Sequence, residues 1–214
     1  MAVSFPLAVT AFMDLLKTEA VVPYLDFQQE LSFIGSGGTI AKDLAPALWR
    51  AAIRTVPMDH DELAYFMAMI EAMHGSTNTF YCYDTTRRYP KLDPTGSIVG
   101  SSAVKINGVS GTTALSLKAL PASYVISVGD LLSFDYGSTP SRAFHRALEQ
   151  VTANGSGVTG NFDVSPPLRS GAAADISVSL KKPSCIMRMV PGSFRVDAGV
   201  KFATAGFDAI QVIA

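Results

Sequence analysis

The residues to test first for chemistry are three histidines, two cysteines and a few acids, scattered through 214 residues. His60 opens the run HDELA. A zinc-protease helix needs a second histidine four residues on, to close the metal site around a catalytic glutamate, and Ala64 stands there instead. His74 falls at the end of the same helical stretch, where a positive imidazole is favoured by the helix dipole. His145 lies in RAFHRAL, between Arg142 and Arg146, on the strand side shared with Ala143 and Ala147. Asp59, Asp61 and Glu62 bring carboxylates together as general acid–base catalysis requires, but a helix start attracts acids to its exposed N–H groups without any reaction. Asp130 and Asp135 bracket a strand, and Gly129-Asp130 is itself a turn signal. Asn154, Asn161 and Asp163 make a thin oxygen set for calcium. Cys82 and Cys185 have no metal-ligand spacing and form no disulfide framework; they read as small buried hydrophobes. There is no Gly-x-Ser-x-Gly elbow, and Gly35-Ser36-Gly37 is a glycine-rich turn. There is no Gly-Lys-Ser/Thr phosphate loop. The sequence therefore assigns no catalytic, cofactor-binding or metal-ligating residue, and it reads as a protein that is not an enzyme and uses no cofactor.

The elements that would have to position such residues are mostly strands. Residues 25–33 alternate, with Leu25, Phe27, Leu31 and Phe33 on one face and Gln29 the polar exception, which predicts a half-buried strand. Leu48 to Val56 predicts a second, with Trp49, Ala51 and Ile53 on one face and Arg50 and Arg54 on the other. The two are expected to pair as a long hairpin across residues 35–47, the Gly35–Gly38 turn supplying positive φ. A helix is expected over 60–74: Asp59 and Glu62 form an acidic capping box, Leu63, Phe66, Met67, Ile70 and Met73 share one face, and Gly75 suits a left-handed cap. A short strand follows at 79–83. Residues 84–100 read as a long connection. Strands then recur at 103–107, 113–118, 124–128, 131–136, 142–151 and 174–180, the spacing of a sandwich or small barrel. In VTANGSGVTGNFDVSPPLR (151–169), Asn154-Gly155 predicts a hairpin turn, GNFDV the returning strand, and Pro166-Pro167 an extended exit that ends an edge. After Pro183 the runs CIMRMV, SFRV and FATAGFDAIQVIA are strand-like again. The fold expected is mainly β (α+β): residues 1–97 and 183–214 form one sheet-bearing domain with the helix, and residues 98–182 an inserted small β-barrel.

Composition narrows the partners. Charged residues make up 16% and hydrophobic ones 48%, whereas an average soluble domain is roughly a quarter charged. Mean hydropathy is +0.26, yet no run approaches the ~20 apolar residues of a membrane span. The first thirteen residues, MAVSFPLAVTAFM, are uncharged but interrupted by Pro6 and followed by Asp14, without a basic leader, so neither a signal peptide nor membrane insertion is expected. A net charge of −1 argues against a protein that grips nucleic acid. An apolar, sparsely charged chain without a span is expected to bury surface in an assembly; the alternative is a well-packed monomer.

Several stretches together resemble the distal tail proteins of long-tailed, siphovirus-type bacteriophages and of related gene-transfer particles of alphaproteobacteria. They are SFPLAVTAFMDLL near the start, the Gly35–Gly38 turn, LAPALW at 44–49, FYCYDTTRRYP at 80–90, DPTGSI at 93–98, LPASYVISVGDLLSFDYG at 120–137, VTANGSG at 151–157 and SPPLR at 165–169. The resemblance implies a structural virion protein of the tail tip or baseplate, assembled in the host cytoplasm. It would be an adaptor ring, commonly a homo-hexamer, that joins the tail tube protein to the baseplate hub and receptor-binding apparatus while DNA passes through its lumen. It also implies a β-sandwich or tube-like ring-forming domain and a second, outer domain, which many relatives carry at the C-terminus and this sequence would carry at 98–182. Two other functions compete. A glycan-binding host-recognition module would use exposed aromatics, with Tyr124, Phe134 and Tyr136 as candidates. A cell-wall hydrolase would need His145.

Overall fold

The computed structural model describes residues 4–35, 37–137 and 141–213, so Ser36 of the glycine-rich turn lies outside the described residues. The protein is mainly β, with one α-helix among the described residues. In chain order a 3-10 turn at Val9–Ala11 precedes β1 (Tyr24–Asp26), β2 (Gln29–Phe33), β3 (Thr39–Asp43), β4 (Leu48–Arg54), helix α1 (His60–Ala72) and β5 (Phe80–Tyr83). Then come β6 (Lys105–Ser110), β7 (Ala114–Lys118), β8 (Val125–Ile126), β9 (Leu131–Tyr136), β10 (Ser141–Ala147), β11 (Val151–Thr152), β12 (Phe162–Ser165) and β13 (Val178–Ser179). The chain ends with β14 (Ser184–Met189), β15 (Arg195–Ala198) and β16 (Ala203–Gln211).

The first sheet has the order β1-β4-β16-β14-β5, with β15 paired to the first part of β16. Strands from both ends of the chain thus interleave in one antiparallel ladder. Alternation dictates its inner face: Trp49, Ala51 and Ile53 point inward from β4, and Ala203, Ala205, Phe207 and Ala209 from β16. Helix α1 covers that face with Leu63, Phe66 and Ile70, joined by Met73 just past its end. Phe207 lies 6.3 Å from Phe66, 5.8 Å from Phe80 and 6.4 Å from Phe12, an aromatic cluster at the centre of this core. The helix starts where its cap predicts, the Asp59 carboxylate accepting from the Glu62 amide at 2.8 Å. It stops at Ala72, two residues short of the expected end, because the left-handed conformation begins at His74 (φ +49°) and continues at Gly75 (φ +67°).

Between β5 and β14 the chain builds a second sheet of order β13-β9-β10-β12-β7-β6. It curls into a nearly closed barrel. Its first and last strands approach through Ile106 N–H to Ile176 C=O at 2.9 Å and Val178 N–H to Val104 C=O at 2.8 Å. Ile106, Leu115, Leu117, Phe134, Phe162 and Val164 fill the interior. The β9–β10 hairpin serves both cores. Leu132, Phe134, Ala143 and Ala147 face the barrel interior, while Leu131 and Phe144 pack into the core of the first sheet.

Four expectations need correction. Residues 25–33 are two strands, β1 and β2, broken at Gln28 (φ +48°). The connection 35–47 is no plain loop, since it contains β3, which pairs with β2. Residues 142–151 are β10 and the short β11, which pairs with β8. In the 151–157 turn the positive φ belongs to Gly157 (+73°), and a Cβ there would stand 2.0 Å from the Leu120 carbonyl oxygen. Asn154 closes that turn through its side chain, accepting from the amides of Ser156 at 2.9 Å and Val158 at 3.0 Å. No helix among the described residues is long and apolar enough to cross a membrane.

Candidate interaction surface

The chemistry-bearing residues do not converge. His60 is exposed at the helix start, its Nε2 3.3 Å from the Val200 carbonyl, and His74 is exposed at the helix end. His145 is inside the barrel at 3% exposure, stacked on Phe134 with centroids 5.4 Å apart. Its Nδ1 is 2.8 Å from the Pro166 carbonyl, an acceptor only, so Nδ1 carries the proton. Burial lowers its pKa to about 4, with a smaller contribution from Arg169. Cys82 and Cys185 are unlinked and fully buried, and they are register partners across β5 and β14. Burial pushes the Cys82 thiol up to about 12 and raises Cys185 well above its ordinary value, so neither carries the thiolate that reactivity needs. Among the described residues no three His, Cys, Asp or Glu side chains are grouped to hold a metal ion.

The acids serve the backbone. Asp84 accepts from the amides of Thr86 at 2.8 Å and Arg87 at 3.1 Å. Asp93 accepts from Ile98 at 3.1 Å and Val99 at 2.9 Å. Asp130 accepts from Ser127 and Lys91, each at 2.8 Å. Burial works to raise the Asp93 pKa, yet the Val99, Ile98 and Ser97 amides and the Tyr124 hydroxyl hold it below the usual carboxylate range. Burial wins at Asp130, whose pKa is raised. Asp84 and Asp93 close turns within the 84–100 connection, and Asp130 ties that connection to the barrel through Lys91. Asp135 pairs with Arg142 at 3.1 Å. The aromatic residues singled out for sugar stacking, Tyr124, Phe134 and Tyr136, are barrel core at 4%, 1% and 9% exposure.

The conspicuous surface is instead the β2–β3 hairpin. It extends the β1–β4 ribbon past the Asp26↔Leu48 pair. Its base is pinned: Gln28 N–H meets Asp26 at 3.2 Å, Leu44 N–H meets the Gln28 carbonyl at 3.0 Å, and the Gln28 amide group donates to the Pro46 carbonyl at 2.6 Å. Beyond the base every residue of both strands is exposed. Leu31 and Phe33 alternate as the sequence indicates, but none of the described residues covers them, and Phe33 is 77% exposed. Ile34, Ile40 and, at the base, Phe27 and Leu44 are exposed too. From Leu31 to Ile40 there is no ionisable side chain. Such a two-stranded ribbon is marginal alone in water, and its open N–H and C=O edges are a template for pairing with another chain. Sequence alternation alone pointed to the wrong covering: it marks an apolar face and does not say which molecule covers it.

Trp49, expected in the core, is 1% exposed and works as the rivet between the two sheets. Its Nε1 donates to the Phe144 carbonyl at 2.7 Å, its ring meets Phe144 edge-on at 4.9 Å, and the Arg146 guanidinium lies 5.3 Å above it. Arg142 adds a bond to the Ser184 carbonyl at 3.2 Å and lies over Tyr81. The barrel is therefore bolted to the sheet that carries the hairpin. No protein-family model matches this chain, and no curated protein matches it.

Proposed function

We propose that the protein is a structural subunit of a phage-type tail tip. Copies close into an adaptor ring, a hexamer on the resemblance, between the tail tube protein and the hub with its receptor-binding apparatus. DNA crosses the lumen in transit, and the particle is assembled in the host cytoplasm. The observation that carries this reading is the β2–β3 hairpin, a rigidly rooted apolar arm that its own chain leaves uncovered. Large exposed apolar patches mark association sites, and head-to-tail association of identical subunits yields a closed ring where the rotation between neighbours closes. The near-neutral charge of −1 fits a lumen that lets a polyanion slide, since each phosphate held would need a Lys or Arg contact. Dispersed titratable groups and acids engaged with backbone amides fit a part that performs no reaction.

The test is the mass of the purified protein by native mass spectrometry, with images of the particles, and its binding to tail tube protein. A ring of about six subunits, the number the resemblance implies, that stacks on the tube supports the reading. A stable 22.7 kDa monomer at high concentration, without affinity for tube protein, overturns it.

A further inference from the structure

Two arginines meet at the seam between the barrel and the first sheet, and neither has an acid. Pro166-Pro167 carry the chain out of the barrel. Leu168 turns its side chain back into the barrel core, and its amide donates to the Thr112 carbonyl at 2.6 Å. Arg169, the next residue, is half-buried at the seam. Arg188 comes from the sheet. In β14 its neighbours Met187 and Met189 are core residues, so alternation puts Arg188 on the other, exposed face, in register with Ile210. Both arginines line one open cavity of about 520 Å³.

Neither guanidinium forms a hydrogen bond or an ion pair among the described residues. A half-buried guanidinium ordinarily spends its donors on an acid or on carbonyls. The nearby carboxylates are engaged elsewhere. Asp26 pairs with Arg50 at 2.6 Å and Asp208 with Arg54 at 2.8 Å. Asp43, in an adjoining cavity that Arg169 also lines, accepts from the Gln29 side chain at 2.7 Å. The lining of the first cavity contains no carboxylate. It does contain Gln211, whose Oε1 accepts from the Trp49 amide at 3.2 Å, which leaves its NH2 group as a further donor.

We propose that Arg169 and Arg188 together hold a carboxylate carried on an aliphatic body. A guanidinium fork matches the two oxygens of a carboxylate, and donors with no acid among them call for an anion. Pro46, Leu48 and Val212 line the rest of the cavity and suit an apolar chain. The carboxylate belongs to a free aliphatic acid or to the end of a peptide. One subunit suffices, so the site stands apart from the ring reading.

The experiment titrates the full chain with hexanoate, hexanamide and acetate at neutral pH and low salt, by calorimetry. Hexanoate is expected to bind once per subunit and hexanamide not at all. Acetate should bind about tenfold more weakly or worse, because the methylenes that meet the apolar wall are lost. Arg169→Gln and Arg188→Gln should each weaken hexanoate by about tenfold, with melting curves to check that both variants fold. Lys201→Gln makes the same charge change at an exposed position outside the cavity and should leave binding unchanged. Equal binding of hexanamide overturns the proposal, as does an equal loss in Lys201→Gln, which would mark general charge attraction. Unchanged affinity in both arginine variants also overturns it. Acetyl-Leu-Val as free acid and as amide separates the sources. Tighter binding of the free acid than of hexanoate, with none of the amide, supports a peptide end; tighter binding of hexanoate supports a free acid.

Discussion

The barrel and the sheet that carries the hairpin treat their apolar residues differently. Within residues 98–182 the large hydrophobic side chains left exposed among the described residues are Ile98, Val109, Val128 and Leu148; outside that segment there are fifteen. The barrel covers its own strand margins by curling until β6 meets the 175–178 segment. The first sheet cannot do this. Its interleaved strands leave β1 as a three-residue edge, and its longest ribbon runs on into solvent as β2 and β3. A closed sheet satisfies its backbone within one chain; an open one with an apolar arm needs a neighbour to finish it. The contrast locates self-sufficiency in the barrel and, on the proposed reading, association in the sheet.

The sharpest way to break that contrast is to separate the two units. Trp49→Ala removes a buried indole, its bond to Phe144 and the stage for Arg146. A loss of about 3–5 kcal/mol is expected from urea unfolding, with a single transition splitting in two as the barrel melts on its own. A loss below about 1 kcal/mol, typical of a surface position, would mean that the sheets are merely adjacent.

The second effect belongs to the barrel alone. His145 has a folded-state pKa of about 4, below the ordinary 6.5, because burial favours the neutral ring. The unfolded chain therefore binds the proton first. The contribution of the neutral ring is fully present above pH 6.5 and is lost as pH falls from 6.5 to 4. At about 1.36 kcal/mol per pH unit it amounts to roughly 3 kcal/mol. His145→Phe keeps the stacking on Phe134 and removes the titration. Melting curves across that window should be flatter for the variant than for the unchanged protein, and parallel curves would refute the assignment.

What the sequence made legible follows the range of the forces involved. Helix α1 was readable because its cap, its apolar face and its stop are all set within fifteen residues. The β4 pattern was readable because one face is buried and the other is not. Strand β10 was less so, since Phe144 packs into one core and Ala143 and Ala147 into the other, which removes the alternation. The positive φ of Gly157 answers to Leu120, far away in sequence. Gln28 breaks the 25–33 run through contacts with Pro46 and Leu44. Of the candidate site, the apolar pattern of the hairpin was visible and its lack of cover was not, because cover is a property of the assembled strands.

A smaller effect tests the local end of that range. Asp59→Ala deletes one carboxylate bond to the Glu62 amide at an exposed helix start. A loss of about 1 kcal/mol is expected, and Asp59→Asn should restore most of it.

The smallest effect carries the most meaning. Phe33 is a large aromatic in a strand, and in the barrel its loss would cost several kcal/mol. In the hairpin it touches little, so Phe33→Ser should change the stability of the dissociated subunit by no more than about 0.5 kcal/mol. The measurement is urea unfolding at a concentration where the unchanged protein is monomeric, with association followed separately. A side chain that is neutral for folding yet required for assembly owes its identity to the neighbour. A folding loss comparable to that of a barrel phenylalanine would show the arm packed against its own chain and erase the difference between the two sheets.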